Sequence, residues 1–176
     1  MSTTLESFCE DARAALKRDP GAGGREEIRR LLEKLLKDDV FLAEKCGPNA
    51  EPGIRTVHRD QETGFNVLVH IYAKGKTSPP HDHGKSWAVY GQAVGWTDMT
   101  LWRRNDDGSN EGHADLVEER TFRLEPGMAG RFDPGVIHSI HFEDGAKFVR
   151  VTGTDLDTIP TRRYDLAAQK VAIGRP

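Results

Sequence analysis

The chain has 176 residues, 30% of them charged, and a formal net charge of −3. That length suits one domain with a sizeable core, and the near balance of charge offers no electrostatic footing for nucleic acid or an anionic membrane surface. The only cysteines are Cys9 and Cys46, too few to indicate a disulfide framework, so both are read as buried or idle thiols.

No apolar run approaches the ~20 residues that span a bilayer. The start of the chain, with Glu6, Glu10 and Asp11, lacks the cationic and apolar stretches of a signal peptide. The expectation is a soluble cytoplasmic protein.

Leu5, Phe8, Ala12, Ala15 and Leu16 fall at helical spacing, and the run Asp-Pro-Gly-Ala-Gly-Gly over 19–24 breaks that pattern. A second helix follows, with Ile28, Leu31, Leu32, Leu35 and Leu36 on one face and charged residues on the other. A short third helix is predicted over 39–45, ended by Gly47-Pro48. From about Arg55 the signals become short strands, over 65–72, 87–94, 97–104, 120–124, 137–142 and 147–152. Turn clusters at 61–64, 105–108 and 143–145 separate them. Strands at this spacing indicate a mainly β sandwich or small barrel. The helices of 1–48 would cap a barrel formed by 49–176, in one structural domain.

His81-Asp82-His83 follows Pro79-Pro80 and precedes Gly84, and a Pro-Gly-x-x-His run ends at His138. Two imidazoles one residue apart on a β-strand share a face, because side chains alternate with a period of two. His138 could add a third nitrogen from a distant strand. There are no Cys-x-x-Cys pairs to complete a closed structural zinc site. Three histidine ligands would leave coordination positions open for water, dioxygen or substrate.

Gly75-x5-His81-x-His83 followed by Gly95 resembles the first signature of the cupins, and Pro134-Gly135-Val136-Ile137-His138 resembles the second. The resemblance implies a double-stranded β-helix, or jelly-roll barrel, with a metal inside. Where the usual cupin pattern carries a glutamate ligand, this chain has Ala88. Three histidines without a carboxylate is the pattern of the cysteine dioxygenase-like, or thiol dioxygenase, branch. Arg55-x-x-His58-Arg59-Asp60, Gly64-Phe65, Gly153-Thr154-Asp155-Leu156 and Arg162-Arg163-Tyr164-Asp165 also resemble that branch, so the likeness covers roughly 50–166.

The chain departs from that branch at the positions of its Ser-x-His-x-Tyr run, which here read Phe148, Arg150 and Thr152. Ala88 also occupies the place of the cysteine that some members crosslink to tyrosine, so a substrate other than free cysteine is implied.

The resemblance implies an Fe(II) dioxygenase acting on a small anionic substrate, a thiol among the candidates, with O2. Zn, Mn, Ni and Cu are the other metals that suit His81, His83 and His138. An isomerase, lyase or hydrolase, or a non-catalytic metal- or small-molecule-binding cupin, is the alternative. Arg55 matches the arginine that anchors the substrate carboxylate in the family, and its planar fork suits a carboxylate, with a surface ion pair as the alternative. Arg150, in place of an inward-facing histidine, is expected to be a second anchor for an anion with a catalytic role, or else to pair with a nearby Asp or Glu. Tyr90 shares strand parity with Ala88 and would either supply the hydroxyl lost at Thr152 or serve as a packed barrel tyrosine. Asp82 should point away from the metal and brace its loop. His141 falls on the opposite strand face from His138, and His58, His70 and His113 lack matching spacing. Trp87, Trp96 and Trp102 are read as barrel packing. The expected partners are a small molecule and O2, with no nucleic acid or membrane, and a homodimer is compatible.

Overall fold

The computed structural model describes residues 3–174, so residues 1–2 of the 1–48 stretch and residues 175–176 of the 49–176 stretch lie outside it. Three helices come first: α1 (Leu5–Arg18), α2 (Ala22–Leu35) and α3 (Asp39–Cys46). Thr4 caps α1 by accepting from the Ser7 amide at 3.2 Å, and Asp38 caps α3 by accepting from the Phe41 amide at 2.8 Å. The glycine-rich run read as a break is in part the start of α2. Asp19 explains the difference: its carboxylate accepts from the Gly21 amide at 2.7 Å and the Gly24 amide at 3.1 Å. A negative charge there satisfies amides that the first turn leaves open.

Eleven strands follow: β1 (Gly53–Arg59), β2 (Asn66–Ile71), β3 (Lys76–Thr77), β4 (Ala88–Val94), β5 (Thr97–Arg104), β6 (Leu116–Leu124), β7 (Ala129–Phe132), β8 (Ile137–Phe142), β9 (Lys147–Thr152), β10 (Thr161–Asp165) and β11 (Lys170–Gly174). One sheet has the order β1-β2-β9-β4-β7 and a second has β3-β8-β5-β6, while β10 and β11 pair as a hairpin. Every strand pairing is antiparallel. Setting aside β1, the orders 2-9-4-7 and 3-8-5-6 are those of a double-sheet jelly roll, the architecture that cupins share.

Alternation within the strands makes two cores. Val67, Val69 and Ile71 of β2, Val89 of β4 and Val149 and Val151 of β9 face the helices, where they meet Phe8, Ile28, Leu32 and Leu35. The opposite face turns between the sheets, where Ala88, Tyr90 and Phe148 pack with Met99, Phe132, Ile140 and Phe142. Gly91 lets α2 lie close on the sheet: a Cβ there would come within 2.6 Å of Leu36 Cδ1 and 2.7 Å of Leu32 Cδ2. Cys9 and Cys46 are buried free thiols in the helix-side core, and burial raises their pKa values to about 12 and about 11. Among the described residues no helix is long and apolar enough to cross a membrane.

Candidate metal centre

His81, His83 and His138 each offer one ring nitrogen, and the three nitrogens lie within 4.8 Å of one another. The ring centroids are 4.5 Å apart for His81 and His138, 4.9 Å for His83 and His138, and 5.2 Å for His81 and His83. His138 rides on β8, fully buried. The expectation that His81 and His83 share a regular strand is corrected: residues 81–83 lie in none of the named strands, and His81 makes only isolated bridges, to His138 and to Arg163. The backbone amide of each of His81 and His138 donates to the carbonyl of the other at 2.9 Å, which sets the two ligands opposite each other.

On the far side of the same loop, the Tyr164 amide donates to Pro80 O at 2.9 Å and the Asp82 amide to Arg162 O at 3.1 Å. The chain then turns at Gly84, whose φ is +56. A Cβ at that position would meet Pro160 O at 2.3 Å, so both backbone conformation and space call for glycine. Asp82 points away from the histidines, as expected. Its Oδ1 accepts from the Gly84 amide at 2.9 Å and the Arg162 amide at 3.0 Å, while Oδ2 lies 3.4 Å from both Arg162 Nη1 and the Tyr164 hydroxyl.

Hydrogen bonding selects the tautomers. His81 Nδ1 lies 3.0 Å from Pro79 O and His138 Nδ1 lies 3.2 Å from Val136 O. A carbonyl can only accept, so each Nδ1 carries the hydrogen and each neutral ring keeps a bare Nε2. His138 Nε2 is buried with no partner, as a metal-directed nitrogen would be. His83 Nε2 shares a 3.2 Å hydrogen bond with the buried Tyr90 hydroxyl. Burial is the main cause holding all three imidazoles neutral: the pKa of His138 falls to about 3, that of His83 lies well below the ordinary value and that of His81 is lowered. The nearby Arg150 guanidinium pushes each further in the same direction. Three neutral imidazoles whose ring nitrogens converge fit a divalent first-row metal.

The cluster opens onto a cavity of about 230 Å³ that includes His81, His83, Lys76, Arg150, Leu156 and Arg163 in its lining. A smaller space of about 30 Å³, bordered by Thr56, Thr152 and again Arg150, lies beside it. Larger hollows exist between α1, α3 and His58, at about 670 Å³, and along the β10–β11 hairpin near Trp102, at about 770 Å³. Neither touches any of the three histidines, so the smaller cavity is the candidate site.

Arg150 lies on β9, paired with Tyr90 on one side and Leu68 on the other, and its Nε is buried with no hydrogen-bond partner. Tyr90 faces the same interior as Ala88, which is fully buried and offers no carboxylate. Thr152 spends its hydroxyl on Thr154 O, at 2.8 Å.

Arg55 is the correction among the candidate site residues. It pairs with Val69, which faces the helices, so strand parity turns Arg55 outward and Thr56 inward. Arg55 is half-exposed, has Glu51 at 3.7 Å and borders a separate hollow with Val57 and Val69.

His141 lies outside the cluster, bonded to Thr77 Oγ1 at 2.8 Å with its ring against Trp96. Trp87 is buried in the helix-side core, and Trp102 donates to Ser139 Oγ at 2.9 Å. His70 is also outside the cluster. It is nonetheless deeply buried, stacked on Phe148 at 4.7 Å, with Nε2 unpartnered and its pKa driven well down by burial. Sequence reasoning missed Lys76 and Arg163 as cavity residues. The adjacent pair Arg162-Arg163 near the chain's end was the available signal, but only the loop contact at His81 shows which member faces the site.

A scan against protein-family models gives no match, and a search of curated proteins gives none. Solved structures similar to this chain include the cupin domain of Schizosaccharomyces pombe Cnp3, at 13% identity and a TM-score of 0.45, covering 61% of this chain and 66% of that one. KdgF from a Halomonas species is similar at 17% identity and a TM-score of 0.45, covering 63% and 88% of the two chains. A cupin superfamily protein from Desulfitobacterium hafniense is similar at 15% identity and a TM-score of 0.43, covering 62% and 86%. The likeness to these structures is one of fold, and the jelly-roll assignment itself stands on the strand order of this chain.

Proposed function

We propose that the chain is a metal-dependent oxygenase, an Fe(II) dioxygenase that oxidises a small anionic substrate, a thiol among the candidates, with O2. The observation that carries this reading is a cluster of three neutral imidazoles with no carboxylate in it, facing a cavity flanked by cations. Such a ligand set leaves the charge of a dication uncompensated, which favours an anionic substrate beside it. Fe(II) held there by His81, His83 and His138 would supply the redox chemistry with dioxygen.

The chain's own contribution is placement. Arg150 presents a guanidinium fork to a substrate carboxylate. Tyr90 holds a hydroxyl at the wall next to His83, where it can keep or give up a proton at its Oη. Phe132, with its ring 4.5 Å from that of His138, shields the buried side of the site from water.

The test is anaerobic reconstitution with Fe(II), metal analysis, and oxygen uptake with thiol-bearing and simple carboxylates. The expected result is stoichiometric iron and uptake that depends on substrate. Iron binding with no oxygen consumed by any of these compounds would refute the oxygenase reading. Turnover without O2 by the Zn, Mn, Ni or Cu form would put an isomerase, lyase or hydrolase in its place.

A further inference from the structure

Among the described residues, every arginine but two has either a carboxylate within reach or an aromatic ring beneath it. The exceptions are Arg150 and Arg163, and both line the cavity beside His81 and His83. Arginine stays charged at any physiological pH, so two uncompensated guanidiniums face one small space. Lys76, also free of ion pairs, adds a third positive charge to the same walls. The carboxylates present do not offset them. Asp82 is committed to two backbone amides, the Arg162 guanidinium and the Tyr164 hydroxyl, and Asp157 lies within ion-pair distance of neither arginine.

The two guanidiniums come from different elements and sit at different depths. Arg150 projects from β9 in the floor, with Nε buried and unpartnered. Arg163 projects from β10 at the exposed mouth, opposite His81 across an isolated bridge. Arginine binds a carboxylate best as a two-pronged fork, so two separated forks call for two carboxylates. The cavity, at about 230 Å³, has room for on the order of eight water volumes, which suits a short carbon skeleton.

We infer that the cavity recognises a small dicarboxylate, with one carboxylate on Arg150 at the floor and the second on Arg163 at the mouth. This rests on the proposed function for its metal-facing chemistry and goes further in naming the substrate class and Arg163 as its specificity residue. Lys76 adds positive potential that favours a dianion over a monoanion.

The experiment is calorimetric titration of the full chain, freed of metal to remove chelation, with succinate, butyrate and inorganic phosphate. Succinate should bind at least tenfold more tightly than butyrate and than phosphate. Arg163→Gln should collapse the succinate preference by weakening succinate while leaving butyrate unchanged, and Arg150→Gln should weaken both. Equal affinity for succinate and butyrate, phosphate binding as tight as succinate, or an undiminished preference in Arg163→Gln would each overturn the inference. Were that variant to misfold, the wild-type ratios would decide the matter alone. Metal content, measured in parallel, separates the two readings. Retained iron with no succinate preference defeats the dicarboxylate pocket only, whereas a succinate preference in a chain that binds no metal defeats the oxygenase.

Discussion

Replacing Arg150 with methionine should make the ligand-free protein more stable while removing its anion binding. In the folded chain the Arg150 Nε is buried without an acceptor, and no carboxylate neutralises the guanidinium. An unpartnered buried donor costs about 1 to 3 kcal/mol, and relieving an uncompensated partly buried charge acts in the same direction. Methionine keeps an apolar stem of similar reach, so the contacts of the side chain with its neighbours are largely preserved. For a chain of this size each kcal/mol moves the melting temperature by roughly 2 to 4 °C, so Arg150→Met should melt roughly 2 to 12 °C above wild type. The assay is calorimetric melting of the metal-free protein in an anion-poor buffer, repeated with succinate. Succinate should raise the wild-type Tm and leave the variant unmoved. A variant that melts below wild type would show that Arg150 holds the barrel together, and the case for it as an anion anchor would fail.

His138→Ala should release the metal on dialysis while far-ultraviolet circular dichroism stays unchanged; stoichiometric metal in the variant would rule out His138 as a ligand. Acid should destabilise the metal-free protein early. Burial lowers the pKa of His138 to about 3 and depresses His70 and His83 well below normal, so below pH ~6.5 the unfolded chain binds protons that the folded chain refuses. Stability is therefore intact above ~6.5 and is lost as pH falls, by about 1.4 kcal/mol per pH unit for each histidine still neutral in the fold. Urea midpoints that stay flat between pH 7 and pH 5 would contradict this. Gly84→Ala should cost about 1 to 3 kcal/mol, because it forces a side chain into a left-handed turn against Pro160 O. It should also weaken metal binding through the adjoining His83, and an unchanged metal affinity would show that the turn does not position that ligand.

The parts of the fold that could be read in advance are those whose apolar period is long enough to recognise. Leu5, Phe8, Ala12 and Leu16 outline α1, and Val67, Val69 and Ile71 outline the helix-side face of β2. Missing from that reading are β1, a largely exposed strand, β3, two residues long, β7, which spans only four, and the polar, largely exposed hairpin of β10 and β11. Such elements have no period of their own and are defined by the strands they join. The metal cluster was legible because two histidines one residue apart, plus one in a Pro-Gly run, are rarely accidental. Its mechanical basis was not, since His81 is held by an isolated bridge to His138 of the neighbouring β8 rather than by alternation within a strand. Arg55 was named only through the resemblance, and strand pairing sets it on the face of Val69, beside Glu51. Arg163 could not be found from spacing, because its place at the mouth follows from a hairpin folded back over the loop of His81.

Asp82 makes that hairpin and the metal ligands one mechanical unit. Wedged between His81 and His83, it grips the backbone and side chain of Arg162, directly beside Arg163. A dicarboxylate bound as inferred, drawing Arg163 inward, would therefore tug on the same loop that carries His81 and His83. Because linkage is reciprocal, whatever the anion gains from a loaded metal, the metal gains from the anion. Asp82, through its bonds to Arg162 and Gly84, is where that coupling would be cut.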